Sequence, residues 1–465
     1  MVYPAPPAAQ YAAPPRVAVA FDSPLPLLIA GLGLAACSGV LIASGRPIAI
    51  ALLVGIVPAA LALWDLRAAV CLWIPLTFLD RISIGPNLIT LLLTLAWLAV
   101  VAMQAGRIAE LARRNLAVVV AFGLLLGWVT LSVTWARHPD EAAADLWLWF
   151  VSAAIFALVA TMAATRHHLS IACAAYVAGA LLSLCVGAGT IGTGVSAIDE
   201  GRFGGSLGDP NELAAALLPA LALALALAAG PLRKWPPACF GAAVLLVCGL
   251  ALTGSRGAML AALVAIAAAI GIIKGRRIEI ALLTALALFS AAAVVAARSP
   301  DTFDHLREFD AGGTGRADLW RVAWRIGSDE PLLGIGINNY RSEAVNYVLE
   351  PGRLEAAEFV AEDPHYPHNI YLQQFAETGL PGVGLLLALT LGSLVATATA
   401  IGRFERAGDR PMRNLTRGIL IAQVAALSAS FFLSNVHDKR LWVVLALGAA
   451  ALGTAPRAGR TDVAI

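Results

Sequence analysis

Long apolar runs broken by short polar stretches recur along nearly the whole chain. Fourteen can be marked, at 25–44, 47–64, 66–79, 86–104, 116–134, 143–165, 169–188, 211–230, 235–253, 256–273, 278–297, 379–401, 413–432 and 440–455. Most approach the roughly 20 apolar residues that a helix needs to cross the hydrocarbon core of a bilayer. A backbone inside lipid must satisfy its own hydrogen bonds, which a helix does and an open strand does not. The pattern predicts an all-α fold, a polytopic transmembrane helix bundle. The second and third runs are short and joined tightly at Trp64–Arg67, so they form two spans or one hairpin that does not fully cross; the expected count is twelve to fourteen.

One interruption differs from the others. Residues 298–369 are polar and not of low complexity, and loops beyond about 12–15 residues are as a rule functional or disordered. Within this stretch GRADLWRVAWRIGS, residues 315–328, has a helical period. Leu319, Trp320, Ala323, Trp324 and Gly327 make one face, and Asp318, Arg321 and Arg325 the other. Such a helix lies in a membrane interface or packs on the bundle surface, and both arrangements put Arg316 near the headgroup plane.

Composition agrees and charge adds an orientation. Of 465 residues 59% are hydrophobic and 13% charged, with a mean hydropathy of +0.79; a soluble domain carries about 25% charged residues. The net charge of +2 is small, and no nucleic-acid partner is expected. All six cysteines lie in apolar runs without a C-x-x-C pair, which suggests neither a disulfide framework nor a zinc site. The Pro- and Ala-rich N-terminus lacks the pattern of a cleaved signal peptide. With both termini in the cytoplasm, 18 of the 32 Lys and Arg fall inside. Of the 14 outside, seven belong to the long loop, so the short loops alone score 18 against 7. The positive-inside rule therefore puts the long loop outside. The expected parts are a flexible cytoplasmic tail (1–24), a transmembrane bundle (25–297), a periplasmic loop (298–369), the rest of the bundle (370–455) and a cytoplasmic tail (456–465). Glu212, Arg256, Glu279, Glu377 and Arg440 sit at span ends, none near a midplane. That argues against a coupled pump, which usually needs midplane charge, though not against a flippase with a polar groove.

The candidate chemistry lies in the external stretches. GRFGGSLGDPNELA, residues 201–214, is a Gly-rich loop in which Asp209-Pro210-Asn211 suits a helix start. GSRG puts Arg256 at a span end, PLLGIGINNY (331–340) reads as a turn rather than a dinucleotide site, and DPHYPHN carries His365 and His368. His138, His167 and His168 sit among charged loop residues and read as solvated. The histidine pair lacks a third ligand nearby, and Glu308-x-Asp310 is an equally weak metal pattern.

In order, these elements are Arg202…Pro210-Asn211, Ser255-Arg256-Gly257, Gly315-Arg316…Trp320, Pro331-Leu332-Leu333-Gly334-x-Gly336 and His368-Asn369…Glu377-x-Gly379-Leu380-x-Gly382. The series resembles the bacterial O-antigen ligase and O-antigen polymerase superfamily over about residues 200–400, and the preceding spans only by hydropathy. The resemblance implies a GT-C-like, metal-independent glycosyltransferase without a cofactor, in the bacterial inner membrane with its active site on the periplasmic face. Family members take a glycan from an undecaprenyl-diphosphate carrier and pass it to lipid A-core, a growing glycan or a protein hydroxyl. By motif match the catalytic candidates are His368, Arg256 and Arg316. Arg202, Asn211, Trp320 and Asn369 are candidates for substrate binding, and His365 has no assignable role.

The chemistry is coherent without the family. Cleaving a sugar–diphosphate bond builds negative charge on the leaving group, which interfacial arginines can neutralise, and a neutral histidine can take the acceptor proton. The alternatives are a lipid-linked glycan flippase without transferase activity, or a non-catalytic scaffold; ligase and polymerase share one constellation. The charge bias yields a direct test. A cysteine introduced at Ser328 should react with a membrane-impermeant thiol reagent in intact spheroplasts, and labelling only after permeabilisation would reverse the topology.

Overall fold

The computed structural model describes residues 65–79, 85–190, 198–199, 202–273, 316–348 and 365–457. The expected spans 25–44, 47–64 and 278–297, the N-terminal tail and the loop segments 298–315 and 349–364 lie outside the described residues. Within them the fold is an all-α polytopic bundle. Its helices are α1 (Leu66–Trp73, continued by a 3-10 turn to Phe78), α2 (Gly85–Met103), α3 (Ala105–Arg114), α4 (Leu116–Ser132), α5 (Pro139–Met162), α6 (Arg166–Thr190), α7 (Pro210–Ala229), α8 (Pro236–Leu252), α9 (Arg256–Ile272), α10 (Arg316–Asp329), α11 (Tyr340–Ala344), α12 (Ile370–Arg406), α13 (Arg410–Ala429) and α14 (Lys439–Thr454). A two-residue antiparallel ladder, β1 (Ile198–Asp199) with β2 (Arg202–Phe203), precedes α7.

Among the described residues five helical stretches are long and apolar enough to cross a membrane: α5, α6, α7, α12, and α13 with its 3-10 extension to Phe432. At Gln104 the chain bends by 100° from α2 into α3, so α3 lies across the end of the bundle. Leu66–Phe78 is too short to span; the other arm of the expected hairpin, 47–64, lies outside the described residues. Small residues bring the helices together, as expected where lipid offers no hydrophobic drive for association. A Cβ on Gly418 of α13 would come within 2.1 Å of Ala226 Cβ on α7. The near-wholly buried α14 forms the central column, with Trp442 stacked on Phe122 at 5.0 Å. Its contact with α12 and α13 is glued by Gln423, which donates to Ser393 Oγ at 2.9 Å and accepts from Thr397 Oγ1 at 2.8 Å.

The feature that shapes the end of the bundle carrying α10 and α11 is a break in α12. Gly379 has φ 66° and ψ −170°, and Pro381 follows it. Proline has no N–H, so the carbonyl of Glu377 four residues before it has no helical donor. The segment 331–336 supplies what is missing. Gly336 N–H donates to Glu377 O at 2.9 Å, Ile335 N–H to Ala376 O at 3.0 Å, and Leu380 N–H to Pro331 O at 2.8 Å. Trp128 Nε1 donates to Thr378 O at 2.9 Å. This contact needs glycine on both sides: a Cβ on Gly334 (φ 67°) would meet the Glu377 carbonyl carbon at 2.4 Å, and one on Gly379 the Leu332 oxygen at 2.5 Å. The turn expected in PLLGIG is present, and it serves as a clamp on a broken helix.

Above the clamp, α10, α11 and the first turns of α12 share a small core of Leu319, Val322, Ala323, Ile326, Tyr340 and Ala376. The expected faces of α10 need correction. Asp318 is 2% exposed and ion-paired with Arg321, whereas Trp324 is 61% exposed against the Phe375 ring. Val322 and Ile326 take the core positions because the buried stripe faces α12 as well as the bundle. The run expected from 379 begins at Ile370, since Gln373, Gln374 and Glu377 are polar but buried. The Gly-rich loop is packed: Ser206 Oγ donates to Phe78 O at 2.6 Å, and a Cβ on Gly187 would meet Gly205 Cα at 2.4 Å. His138 and His168 are half-buried rather than solvated, bonded to Glu343 at 2.9 Å and Thr165 at 2.7 Å.

A residue other than glycine at position 379 must enter a backbone region that costs about 1–3 kcal/mol. Gly379→Ala should therefore lower the thermal midpoint of the detergent-solubilised protein by several degrees. Gly384→Ala, on the same helix with open space at its Cβ, is the control. Equal midpoints for both variants would show that the clamp does not hold the helix break.

Candidate functional site

The starts of α7, α9 and α10 come together at one end of the bundle. Asp209 caps α7, its Oδ1 accepting from the N–H of Asn211 at 2.6 Å and Glu212 at 3.1 Å, as the Asp-Pro-Asn signature suggests. Ser255 caps α9 by accepting from Ala258 N–H at 3.3 Å. Its hydroxyl also donates to Asn211 Oδ1 at 2.8 Å. The same Asn211 oxygen accepts from Arg202 Nη2 at 3.0 Å, and Arg202 Nε donates to Thr253 O at 2.9 Å. Arg202, Asn211 and Ser255 thus tie β2, α7 and α9 into one frame.

Arg256 opens α9 and Arg316 opens α10. Burial, then the Arg202 cation, pull the Arg316 guanidinium below its ordinary value; Asp209 opposes this, and Arg256 adds to it. Three arginines and one carboxylate therefore share a partly desolvated space, with helix N-termini adding partial positive charge. His368 joins them. Burial, then the Arg316 cation, push its imidazole from 6.5 down to about 4, against a pull upward from Asp209. The ring is a neutral base at physiological pH. Its backbone stands at φ 48°, a left-handed conformation that turns the chain into α12.

The structure brings Arg202, Asn211, Arg256, Arg316 and His368 together. Trp320 stands behind them: its Nε1 donates to Pro367 O at 2.8 Å and its ring lies edge-on to Phe431 at 5.5 Å, bracing the histidine segment. Asn369 is fully buried and caps α12, its Oδ1 accepting from Tyr371 N–H at 3.0 Å and Leu372 N–H at 3.1 Å; its side chain cannot reach a ligand as it stands. His365 lies 6.5 Å from His368, ring to ring. Asp209 and Ser255 are the site residues that sequence reasoning passed over as candidates. The cap signature marked Asp209, but only the folded chain sets it beside His368 and Arg316. Among the described residues no three His, Cys, Asp or Glu side chains converge as a metal site; Glu308 and Asp310 lie outside them.

Next to the polar site is an apolar cleft of about 430 Å³ between α9, α12 and α13, lined by Leu260, Val264, Tyr371, Leu427, Phe431 and Phe432 among others. Phe432 also lines a smaller gap with Asn211 and Ser255, so the polar and apolar spaces adjoin.

The all-α membrane bundle thus gathers arginines and a histidine at one end, beside an apolar cleft. Residues 241–387 match the family described as O-antigen ligase, and the match supports the O-antigen ligase and polymerase superfamily. The matched span includes Arg256, Arg316, Trp320, His368 and Asn369, whereas Arg202 and Asn211 precede it. No curated protein matches the chain. The match supports, in general terms, glycan transfer of the ligase or polymerase type by a glycosyltransferase-like enzyme in a membrane.

The buried histidine leaves a mark on stability. Its folded value of about 4 lies below the ordinary 6.5, so between these pH values the unfolded chain binds a proton that the folded one refuses. Stability from this group is complete above pH 6.5 and falls as pH drops, by roughly 2 kcal/mol at pH 5. His368→Gln should flatten the change in thermal midpoint between pH 7 and pH 5. An equal acid-induced drop in both proteins would show that the ring is not held neutral by burial.

Proposed function

We propose that the chain transfers a glycan from an undecaprenyl-diphosphate carrier to a hydroxyl acceptor on the periplasmic face of the bacterial inner membrane. The acceptor is lipid A-core or a growing glycan. The observation that carries this reading is the convergence of Arg202, Arg256, Arg316 and His368 beside an apolar cleft. Charge bias supports the side of the membrane. In this reading the cleft receives the first isoprene units while the diphosphate lies among the arginines.

The roles follow from charge. The acceptor oxygen bonds to the anomeric carbon as the bond from that carbon to the diphosphate oxygen breaks, and negative charge collects on the leaving diphosphate. Arg256 and Arg316 hold it with forked, charge-assisted hydrogen bonds, and Arg202, fixed by Asn211 and Thr253, adds a third cation. These groups are ordered before substrate arrives, so little reorganisation is needed in the transition state. His368 takes the acceptor proton. Its base strength is low while Arg316 is unneutralised, and a bound diphosphate cancels that cation's effect and raises it. Asp209 then stabilises the imidazolium. Arginines do the charge neutralisation that a divalent cation performs elsewhere, so transfer should persist in EDTA.

The test is single-turnover transfer from a purified lipid-linked donor, with donor affinity measured alongside. Hydrogen bonds to charged groups contribute about 1.5–3 kcal/mol, and 1.36 kcal/mol is tenfold in rate. Arg256→Ala or Arg316→Ala should slow transfer by roughly ten- to more than a hundredfold, with only partial rescue by Lys. His368→Ala should cut the transfer step by about 10²–10⁴ and leave donor affinity nearly intact. His365→Ala should do little. Normal transfer by His368→Ala, or equal defects at both histidines, would remove the base from this scheme.

A further inference from the structure

Arg256, Arg316 and His368 each have an aromatic side chain close by, and those rings meet. Trp320 stands one helical turn after Arg316, and its Nε1 donates to the carbonyl of Pro367, next to His368, at 2.8 Å. Tyr371 lies in the first turn of α12, just after His368, and is braced by its hydroxyl, which donates to Leu427 O at 3.0 Å. Beside Arg256 the approach depends on a glycine. A Cβ on Gly257 would stand 2.7 Å from Phe432 Cβ, so its absence lets Phe432 pack on the start of α9. Phe431 is the hub of the group. Its ring lies 5.5 Å from Trp320, 6.2 Å from Tyr371 and 5.5 Å from Phe432. The 3-10 turn Ser430–Phe432 that carries both phenylalanines is tied to α13 by Ser430 Oγ, which donates to Ala426 O at 2.9 Å.

The rings stand on the boundary between the polar and apolar spaces. Tyr371, Phe431 and Phe432 line the apolar cleft of about 430 Å³, and Phe432 also lines the gap with Asn211 and Ser255. Elsewhere the cleft wall is aliphatic, with Leu260, Val264 and Leu394 among its residues. Phe431 is 44% exposed despite three aromatic neighbours, which leaves ring surface for a ligand. The inference rests on the transfer reading, in which the diphosphate lies among the arginines. The hydrocarbon unit bonded to that diphosphate then falls on the aromatic rings, and later units fall on the aliphatic wall. Aromatic rings favour offset and edge-on contact with flat partners. An unsaturated isoprene unit is flat and makes such contacts closely, whereas a saturated one has a tetrahedral, methyl-bearing carbon that holds it off the ring.

We propose that Trp320, Tyr371, Phe431 and Phe432 select the lipid carrier by its first isoprene unit, the one bonded to the diphosphate, and favour an unsaturated unit over a saturated one. The bond that breaks in transfer joins the sugar to the diphosphate, and both phosphorus atoms separate it from this unit. Saturating the unit therefore alters the fit to the rings and not the leaving group.

The experiment compares two donors that carry the same short glycan diphosphate, one on a fully unsaturated undecaprenyl chain and one on a chain whose first unit alone is saturated. Transfer by the full chain in nanodiscs is read as kcat/KM, and the glycan-free diphosphates of both carriers are titrated against the thermal midpoint. A small change of shape in an apolar pocket is worth roughly ten- to a hundredfold, so the wild-type protein should prefer the unsaturated carrier by about that factor in both measurements. Phe431→Leu keeps apolar bulk at a half-exposed position and should bring the two carriers close to parity. Val264→Ala, on the aliphatic wall, should weaken both carriers and leave their ratio as in the wild type. Each ratio is taken within one protein, so a loss of folded protein in a variant cancels. Equal binding of the two carriers by the wild type, an unchanged ratio in Phe431→Leu, or an equal loss of preference in Val264→Ala would overturn the proposal. Preferential binding with no transfer from either donor would overturn the transfer reading alone.

Discussion

A membrane helix with proline at position 381 carries a carbonyl, that of Glu377, without an intrahelical donor, and the Gly379 backbone strands others beside it. In a bundle poor in water these groups have to be met by protein. Ile335 and Gly336 meet them from a separate segment, and Trp128 Nε1 meets a third from α4. Much of the architecture at that end of the bundle follows. Bringing 331–336 back to α12 ties down α10, which lies immediately before it, and so fixes the height of Arg316. The turns of α12 before the break, 370–378, become a short rigid piece whose Asn369 cap and left-handed His368 aim the imidazole at the arginines. The clamp supplies no chemistry, but without it neither Arg316 nor His368 has a fixed position.

Like charges in one partly buried space are unfavourable, and the site spreads that strain over several supports. Arg202 is held by Thr253 and Asn211, Arg256 sits on a helix capped by Ser255, and Asp209 offsets part of the repulsion on Arg316. A polyanion is the ligand that most relieves such a cluster. His368 shares the field: burial first and the Arg316 cation second hold its imidazole below the ordinary value, so in the proposed reaction an anion on Arg316 would raise its base strength.

Much of this was legible in the chain. Eleven of the fourteen apolar runs fall in described residues, and helices stand at each, because the length of an apolar run is a direct physical requirement of the bilayer. The cap at Asp209 was equally plain, since its geometry is local. What escaped was what depends on distant partners. The face of α10 was assigned by favouring tryptophan, yet Trp324 faces out and Val322 faces in, because α12 and not lipid covers that helix. Asn369 looked like a companion of His368, whereas its place before Ile370 makes it a cap. PLLGIG looked like a turn and is one, but nothing local in those residues says that their N–H groups belong to carbonyls some forty positions later. Asp209, read only as a cap, also acts on Arg316 and His368, a proximity that only the folded chain creates.

The clamp also bears on how a membrane protein can position a site on a loop. A long polar loop would ordinarily be the least fixed part of such a molecule. Here its central portion is joined to a spanning helix through backbone groups that the helix itself cannot satisfy. The strength of the attachment derives from the cost of leaving those groups unmet, which is greatest where water is scarce. A helix that crossed unbroken would offer the loop only side chains, in contacts that slide easily. The break at Gly379 and Pro381 therefore weakens α12 as a helix while fixing the loop to it in a single register, and Arg316 and His368 meet in the geometry that this register sets.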